Sequence, residues 1–444
     1  MRIKYLTMEI FSSYNVIIGI SLTIILSFIF NGVAKKTNIP AVLLLIVFGV
    51  VIQYVLKAVG GDNIDFFPIL EVLGIVGLIM IVLEAALELK LEKEKLLPIV
   101  KSLAIALIGL VASTFVAALI LKGLIECMTM ETAWLYATPL SILSSAIIIP
   151  SVSSLSEAKK EFHIYESTFS DILGIMLFYF LTGRLNPTED SGVSGFFLNL
   201  LITIVISLIA SYAIILIFQK IKSQVKLFLL IAVLLLLYAL GKKMHLSSLI
   251  IILIFGLVIA NMKLFFQGKL SDYLNFDKAK HIYHELHVIT AETAFVVRTL
   301  FFVIFGITIT LSSLLSLKVT LISLLILISI YAIRYGLLRL FFGKDITPQV
   351  FIAPRGLITV LLFYAIPEQA LVENFDPGIL LFVIIGTSLI MTGGMIQDKK
   401  TSTALTDDLL EEDEEIDEEA DGIQIINPEM DTMNPNGDID NKGL

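Results

Sequence analysis

The sequence predicts an all-α membrane protein that crosses the bilayer about 13 times. The first observation is composition: of 444 residues, 57% are hydrophobic and only 16% are charged, against about 45–50% and about 25% in soluble domains. The second is the recurrence of apolar runs of about 20 residues, the length with which a helix spans a bilayer. The single cysteine, Cys127, excludes an internal disulfide framework.

The predicted spans follow one another with short connections. In chain order they cover residues 14–34, 39–59, 69–89, 98–121, 133–154, 166–185, 196–218, 226–241, 246–261, 288–311, 314–342, 350–366 and 378–396. The N-terminal stretch lacks the three-part pattern of a cleaved signal peptide, so we expect the first span to be retained.

Lysines in the connecting loops predict the orientation in the membrane. One alternating set of loops carries most of them, including Lys90, Lys159, Lys160 and Lys344, and the other set carries fewer lysines and more acids. Because basic loops are cytoplasmic, we expect the N-terminus outside and the C-terminus inside, in the cell (inner) membrane. This arrangement requires an odd number of spans and therefore favours thirteen over twelve.

The apolar pattern stops near residue 398, which divides the chain into a transmembrane domain (1–397) and a tail (398–444). The stretch LTDDLLEEDEEIDEEADG (405–422) holds most of the excess acid behind the formal net charge of −9. Low hydrophobicity combined with high charge is typical of disorder. We expect a disordered cytoplasmic tail that is either simply solvated or regulatory.

Ionisable residues inside spans are rare and usually face the bundle interior or a water-filled path. We expect Arg339, near a predicted cytoplasmic end, to extend its charged group to the membrane surface. The candidates within the spans are Glu84, Glu166, Asp171, Glu292, Arg298, Arg334, Arg339 and Arg355.

Two of these carboxylates, Glu166 and Asp171, lie in the first residues of the sixth span, in YESTFSDILG (165–174). Asp171 lies about 7–8 Å deeper along a helix than Glu166 and on another face, so the two acids have different partners. Ser167, at i−4, shares a face with Asp171, and Ser170 adds a second hydroxyl. A carboxylate with a hydroxyl suits a hard cation such as Na+ or K+; the alternative is a packing carboxylate bonded to nearby serines.

Two spans contain helix-breaking residues. Pro150 lies in SILSSAIIIPSVSS (141–154), and Pro354 and Gly356 lie in FIAPRGLITV (351–360). Proline removes a backbone donor, and glycine lowers the cost of bending. Paired interrupted spans mark a binding site near the bilayer centre, whereas two ordinary proline kinks are the alternative. Because the breaks fall seven spans apart, an odd number, they predict two inverted repeats.

The stretch HIYHELH (281–287) predicts an interfacial helix, with a pH sensor or a metal site as alternatives. It lacks the His-Glu-x-x-His spacing of zinc proteases. The sequence contains no nucleotide loop, nucleophile elbow or metal-ligand cluster, so we predict no enzyme, no cofactor, no bound metal and no nucleic-acid partner.

Six stretches resemble, in order along the chain, the monovalent cation:proton antiporters, in particular the sodium/proton exchanger branch. They are LEAALEL (83–89), SSAIIIPSV (144–152), ESTFSD (166–171), RTLFFVIFGIT (298–308), YAIRYG (331–336) and APRGL (353–357). The resemblance covers about residues 14–396. It implies the sodium/proton antiporter fold, with two broken helices that cross, and a homodimer whose core domains move against fixed, interleaved dimerisation domains.

The resemblance also implies residue roles. Asp171 matches the carboxylate that binds the cation or the proton, and Ser167 and Glu84 match side chains that help to ligate the cation. Glu166 and Arg334 match a structural ion pair. The residues placed on the two unwound segments are Ser144, Ser145 and Arg355.

Two positions depart from the family pattern. Both belong to the cation- or proton-binding site that the resemblance implies. Ser170 stands where exchangers have Asn and electrogenic relatives have Asp. Ala146 stands near the place of a Thr: it suits the site if only the backbone carbonyl is used, and changes cation affinity or choice if the hydroxyl is needed. The choice between Na+ and K+ therefore stays open. The charge partner of Arg298 is also open between Glu292 and Asp171.

We therefore expect a secondary transporter in the lipid bilayer that exchanges Na+ (or K+ or Li+) for H+. Because Ser170 cannot hold a second charge, we expect electroneutral exchange. The alternatives are an electrogenic antiporter in which Glu84 also titrates, a cation channel or uniporter, and a scaffold or sensor that transports nothing.

Overall fold

The computed structural model describes residues 13–37, 39–58, 66–91, 93–152, 155–185, 193–221, 226–244, 248–309, 314 and 316–398. Within these residues all regular structure is helical and no strand occurs, so the all-α prediction is confirmed. The described residues as far as Ile396 belong to one compact unit. The acidic stretch 405–422 lies outside the described residues, and its disorder stays a prediction.

Seven α-helices form the first half of the described chain. They are α1 (Ser13–Thr37), α2 (Ala41–Ala58), α3 (Phe67–Glu88), α4 (Leu96–Leu124), α5 (Met130–Ser141), α6 (Ser145–Ser151) and α7 (Glu157–Arg184). Extended residues 142–144 separate α5 from α6, so these two helices are the halves of one broken pass.

The second half of the described chain contains α8 (Val193–Phe218), α9 (Lys226–Lys243), α10 (Ser248–Ala260), α11 (Met262–Phe265), α12 (Phe276–Thr308), α13 (Leu317–Phe342), α14 (Leu357–Tyr364) and α15 (Gly378–Asp398). Short 3-10 helices occur at Lys93–Lys95, Gly268–Tyr273 and Glu368–Ala370. Extended residues 352–356 precede α14, and turns rather than a helix lie on the other side of this second break.

The helices agree with a protein that crosses the membrane many times. Ten helical segments of the described chain are long and apolar enough to span a bilayer. The remaining three predicted spans correspond to α9, to the short apolar α10 and to the broken segment that ends in α14.

Two helices begin well before the predicted spans. α7 begins at Glu157 rather than at 166, and α12 begins at Phe276 rather than at 288. Hydropathy locates only the apolar part of a helix, and polar first turns extend these two beyond it. The Asn275 side chain accepts a hydrogen bond from the Lys278 backbone N–H (3.0 Å) and caps α12. Residues 281–287, expected in an interfacial helix, are helical and form part of the N-terminal half of α12. Their position at the membrane interface stays a prediction.

α2 packs very closely against α12. A Cβ added at Gly49 would collide with the Val303 carbonyl oxygen and lie 2.9 Å from the Gly306 Cα atom. Small residues let helix backbones approach in this way inside membranes. The Gln53 side chain donates to the carbonyl oxygen of Ile307 (2.7 Å) and binds the end of α12. These contacts fix the helix that carries Arg298.

The two breaks meet each other. The Ser144 backbone N–H donates to the Pro354 carbonyl oxygen (2.9 Å). A Cβ at Gly356 would collide with the Ser144 side chain, so the close approach requires glycine. The breaks lie in the fifth and twelfth passes, and passes an odd number apart run in opposite directions, as two inverted repeats require.

Candidate functional site

Asp171 is buried on α7, beside the first break. Its Oδ2 atom accepts a hydrogen bond from the Ser145 hydroxyl, and the Ser145 backbone amide adds a further interaction. Within the described residues the other carboxylate oxygen, Oδ1, is buried and receives no hydrogen bond. A buried carboxylate oxygen without a donor is costly, so Asp171 has an open position for a proton or a cation.

A narrow cavity of about 10 Å³ reaches Asp171 between α3, α7 and α10. This volume is about the space of one water molecule. Its other walls are apolar, formed by Val82, Ala85, Ile172, Ile175, Met176, Leu249, Ile250 and Leu253. Asp171 is therefore the polar end of an otherwise apolar cavity.

The two serines predicted to accompany Asp171 serve other partners. Ser170 accepts a hydrogen bond from the Leu143 backbone N–H (3.0 Å), so its oxygen stabilises the extended segment of the first break. Ser167 donates to the His163 carbonyl oxygen (2.7 Å) on its own helix. Although Ser167 shares a helix face with Asp171, its hydroxyl hydrogen points at the backbone one turn earlier.

Glu84 and Ala146 meet at Arg298. The Arg298 guanidinium donates from Nη2 to Glu84 Oε2 (2.9 Å) and from Nη1 to the Ala146 carbonyl oxygen (3.1 Å). Neither partner expected from the sequence is used: Glu292 is exposed, and Asp171 is bonded to Ser145. Arg298 thus binds one oxygen from each of two residues expected at the cation site.

Glu166 and Arg334 form a buried bidentate pair between α7 and α13. Arg334 donates from Nη1 and Nη2 to the two carboxylate oxygens (2.7 and 3.0 Å), and from Nε to the Gln349 carbonyl oxygen (3.0 Å). Parallel bonds of this kind are among the strongest that proteins make. They tie α7 to the chain that leads into the second break.

His163 is a buried residue of this cluster that the sequence analysis did not single out. Its Nδ1 atom lies 3.4 Å from Glu166 Oε2, and among the described residues neither ring nitrogen has a hydrogen-bond partner. Its position one helical turn before Glu166 was the available signal.

Arg355 is fully buried where the breaks cross. It donates from Nε to the Leu140 carbonyl oxygen (2.8 Å), from Nη2 to that of Ser141 (3.2 Å) and from Nη1 to that of Ala353 (2.8 Å). The first two acceptors are the last carbonyls of α5, which have no partner within the helix. Arg355 therefore places positive charge at the negative end of α5, while Asp171 places negative charge at the positive end of α6.

A second cavity, of about 30 Å³, lies against another face of α7 and between α4 and α13. Its polar wall contains Ser113, Ser141, Glu166, Ser170, Arg334 and Arg355. The volume is enough for about two water molecules beside the two arginines.

The three histidines of 281–287 do not come together. His287 Nε2 lies 2.9 Å from Glu88 Oε1, His281 Nε2 lies 3.1 Å from Glu285 Oε1, and His284 is exposed. Among the described residues, no group of three or more His, Cys, Asp or Glu side chains is placed to hold a metal ion.

Residues 21–397 match the family model described as sodium/hydrogen exchanger, transmembrane. No curated protein matches the sequence.

Two solved structures of the sodium proton antiporter MjNhaP1 from Methanocaldococcus jannaschii are similar to this chain. The structure at pH 8 is 20% identical with a TM-score of 0.62 and covers 86% of this chain and 98% of that one. The electron-microscopy structure is 19% identical with a TM-score of 0.61 and covers 90% and 99%. The likeness confirms the predicted antiporter fold. Because the family model spans most of the sequence, this chain belongs to the sodium/hydrogen exchanger family, a family of transporters.

Proposed function

We propose that the protein exchanges a monovalent cation, Na+ in the first place, for H+ by alternating access, with Asp171 binding either ion. The observation that carries the proposal is the buried Asp171 carboxylate beside the broken helix, with Oδ1 free of any partner among the described residues. A proton or a cation neutralises this charge equally well, and one carboxylate cannot hold both.

The distribution of charges supports electroneutral exchange. Glu166 is neutralised by Arg334, and Glu84 by Arg298. Asp171 is bonded to a hydroxyl and has no basic side chain within ion-pair distance among the described residues. Of the two buried carboxylates in the described chain, Asp171 is the one without a basic partner, and one such carboxylate exchanges one cation for one proton.

The coupling between cation and proton transport follows from the free-energy cost of moving Asp171 across the membrane without a bound ion. A charged side chain at the bilayer centre costs about 2.5–3.5 kcal/mol on insertion scales. Because about 1.4 kcal/mol corresponds to a factor of ten, the carrier with ionised Asp171 should make the transition across the membrane roughly a hundredfold less often than the neutral carrier. Asp171 that holds H+ or a cation is neutral and can cross, which makes transport in each direction depend on an ion.

The remaining assignments belong to the same proposal. We place the lysine-rich loops and the C-terminus in the cytoplasm, because positive loops stay inside. The working unit is a homodimer in the cell membrane, with core domains that move against the dimerisation domains, and its role is to regulate pH and sodium.

Purified protein in liposomes with an internal pH dye tests the proposal. A pH gradient is imposed, Na+, K+ or Li+ is added in turn, and the measurement is repeated with the membrane voltage clamped to zero. Asp171→Asn should abolish cation-driven dissipation, whereas Glu292→Gln, which neutralises an exposed carboxylate on α12, should not. Wild-type exchange by Asp171→Asn would refute the role of Asp171. Exchange that requires charge compensation would indicate a second titrating group, with Glu84 as the first to examine.

A further inference from the structure

The cavity between α4 and α13 has an excess of positive charge in its wall. Among its described lining residues, Arg334 and Arg355 are cations and Glu166 is an anion. All three residues are buried, with exposed fractions of 7%, 2% and 2%. Both carboxylate oxygens of Glu166 are bonded to Arg334, so these two charges cancel. The charge of Arg355 has no counter-charge in the described wall.

Arg355 makes its side-chain hydrogen bonds to uncharged groups. Its acceptors are the backbone carbonyl oxygens of Leu140, Ser141 and Ala353, and no carboxylate of the described residues is bonded to it. The C-terminal end of α5 supplies about half a negative charge. Because a buried charge that is only partly neutralised is costly, an anion bound beside Arg355 would stabilise the folded protein.

The cavity wall also offers more hydrogen-bond donors than its own residues use. A guanidinium group has five N–H donors. Arg334 and Arg355 each donate three hydrogen bonds within the described chain, so N–H groups remain on both. The Ser170 oxygen accepts from the Leu143 backbone N–H, and its own O–H is a further donor. A ligand that only accepts hydrogen bonds suits this wall better than water, which also donates.

We propose that this cavity is a binding site for a small monovalent anion, with chloride as the first candidate. Its volume of about 30 Å³, enough for about two water molecules, accommodates one such ion. Because the wall carries an excess of one positive charge, a monovalent anion balances it. The site shares no lining residue with the small cavity that reaches Asp171, so the proposal does not depend on the function of Asp171.

The bound ion should act as a structural ligand of the crossing. Arg355 lies on the second break and bonds to the end of α5, directly before the first break. A ligand that binds only the folded state stabilises it by mass action. Replacing chloride by gluconate, which is too large for the cavity, should therefore lower the Tm of the full chain by about 2 °C or more at constant ionic strength.

The direct test measures equilibrium binding of radioactive chloride to the purified full chain in detergent, with Na+ as the counter-ion throughout. We expect saturable binding that unlabelled chloride or bromide displaces and gluconate does not. Arg355→Gln removes the unbalanced charge and should abolish binding. If that variant does not fold, Ser113→Val gives the decision, because it replaces a hydroxyl of the wall by two methyl groups.

The expected loss of chloride affinity in Ser113→Val is about tenfold or more, because the added carbon overpacks the cavity. Ser102→Val is the matched control. Ser102 is buried on the same helix, lies three turns earlier on the same face and does not line the cavity. It should keep the wild-type affinity for chloride and the wild-type response of Tm to gluconate.

Three outcomes would overturn the proposal. Wild type without saturable chloride binding would mean that the cavity holds water only. Equal losses in Ser113→Val and Ser102→Val would mean that the effect is structural. Unchanged binding by Ser113→Val would mean that the ion binds elsewhere. Asp171→Asn should bind chloride like wild type, so a failure of the anion site and a failure of the proposed exchange are measured separately.

Discussion

Arg298 and Glu84 form an ion pair of 2.9 Å between α12 and α3. The same guanidinium donates to the Ala146 carbonyl oxygen on α6, so one side chain joins two intact helices to a broken one. The pair removes one carboxylate charge from the set beside the first break. Glu84 is held by a permanent cation, because arginine does not readily lose its proton, and Asp171 remains the unpaired acid.

Glu84→Gln should weaken cation binding without changing the stoichiometry. The variant leaves Arg298 uncompensated near Asp171, where its charge repels an incoming cation. The expected result is a severalfold higher apparent KM for the cation, with an exchange rate that is still independent of the membrane voltage. Because both side chains are partly exposed (16% and 24%), we expect a stability loss of about 1–3 kcal/mol, below that of a fully buried pair. Exchange that becomes voltage-dependent would mean that Glu84 takes part in proton transfer.

The buried pair of Glu166 and Arg334 should be a major contributor to stability. Either Glu166→Ala or Arg334→Ala leaves one buried charge alone and should cost about 3–5 kcal/mol of the free energy of unfolding. Thermal unfolding in detergent measures the loss, and the double variant should lose less than the sum of the two.

The matched comparison is the pair of Lys159 and Asp345, where the Asp345 side chain is 74% exposed. Asp345→Ala should cost about 0–1 kcal/mol. Similar losses in Glu166→Ala and Asp345→Ala would show that the buried pair is not a special contributor.

Gly356→Ala should disrupt the crossing of the two breaks. The new methyl would collide with the Ser144 side chain, and overpacking of this kind costs about 1–3 kcal/mol. We expect lower thermal stability and loss of transport. Gly336→Ala on α13 is the control, because nothing lies within 4 Å of its added Cβ. Normal exchange by Gly356→Ala would mean that the crossing tolerates a wider separation.

Protons and the cation should compete for one carboxylate. When pH falls below the range in which Asp171 is ionised, the apparent KM for the cation should rise tenfold per pH unit, while kcat at saturating cation stays constant. Initial rates of exchange across a pH series measure this slope. A hundredfold rise per unit would show that two protons leave for each bound cation and would contradict one-for-one exchange.

Most of the fold could be predicted from the sequence because, in a bilayer, the structure of each span depends mainly on the residues of that span. A segment that crosses lipid must form its backbone hydrogen bonds within itself and be apolar along its length. Both properties can be recognised in a window of about 20 residues. Pro354 and Gly356 lie within the second break, for the same local reason. Pro150 marked only the pass that is broken, because it lies inside α6 and not in the extended segment 142–144. The first residues of the helices were harder to predict, because α12 begins in a polar segment that a hydropathy window does not recognise.

The candidate site was predictable in its residues and much less so in its contacts. Asp171 stood out because an acid inside an apolar span is costly. The hydroxyl that binds Asp171 belongs to Ser145, which is 26 residues away. It could not be predicted from the sequence, because Ser167 and Ser170 are much nearer to Asp171 in the chain. The partner of Arg298 could not be predicted either. Glu84 is 214 residues away, whereas the two candidates, Glu292 on the same helix and Asp171 in the acidic motif, were the acids that the sequence made conspicuous.

By itself the sequence determined that this protein crosses the membrane many times, which two passes are broken and which carboxylate lies deepest near the first break. These properties depend on the chemistry of residues within one span. Only the tertiary structure decided that Ser145 bonds to Asp171, that Arg298 neutralises Glu84 and that Arg355 caps α5. The contacts of Arg298 and Arg355 join segments more than 200 residues apart in the chain, and the contact of Ser145 joins two consecutive helices. In each case a pairing within about 3 Å depends on how the segments are rotated and packed together.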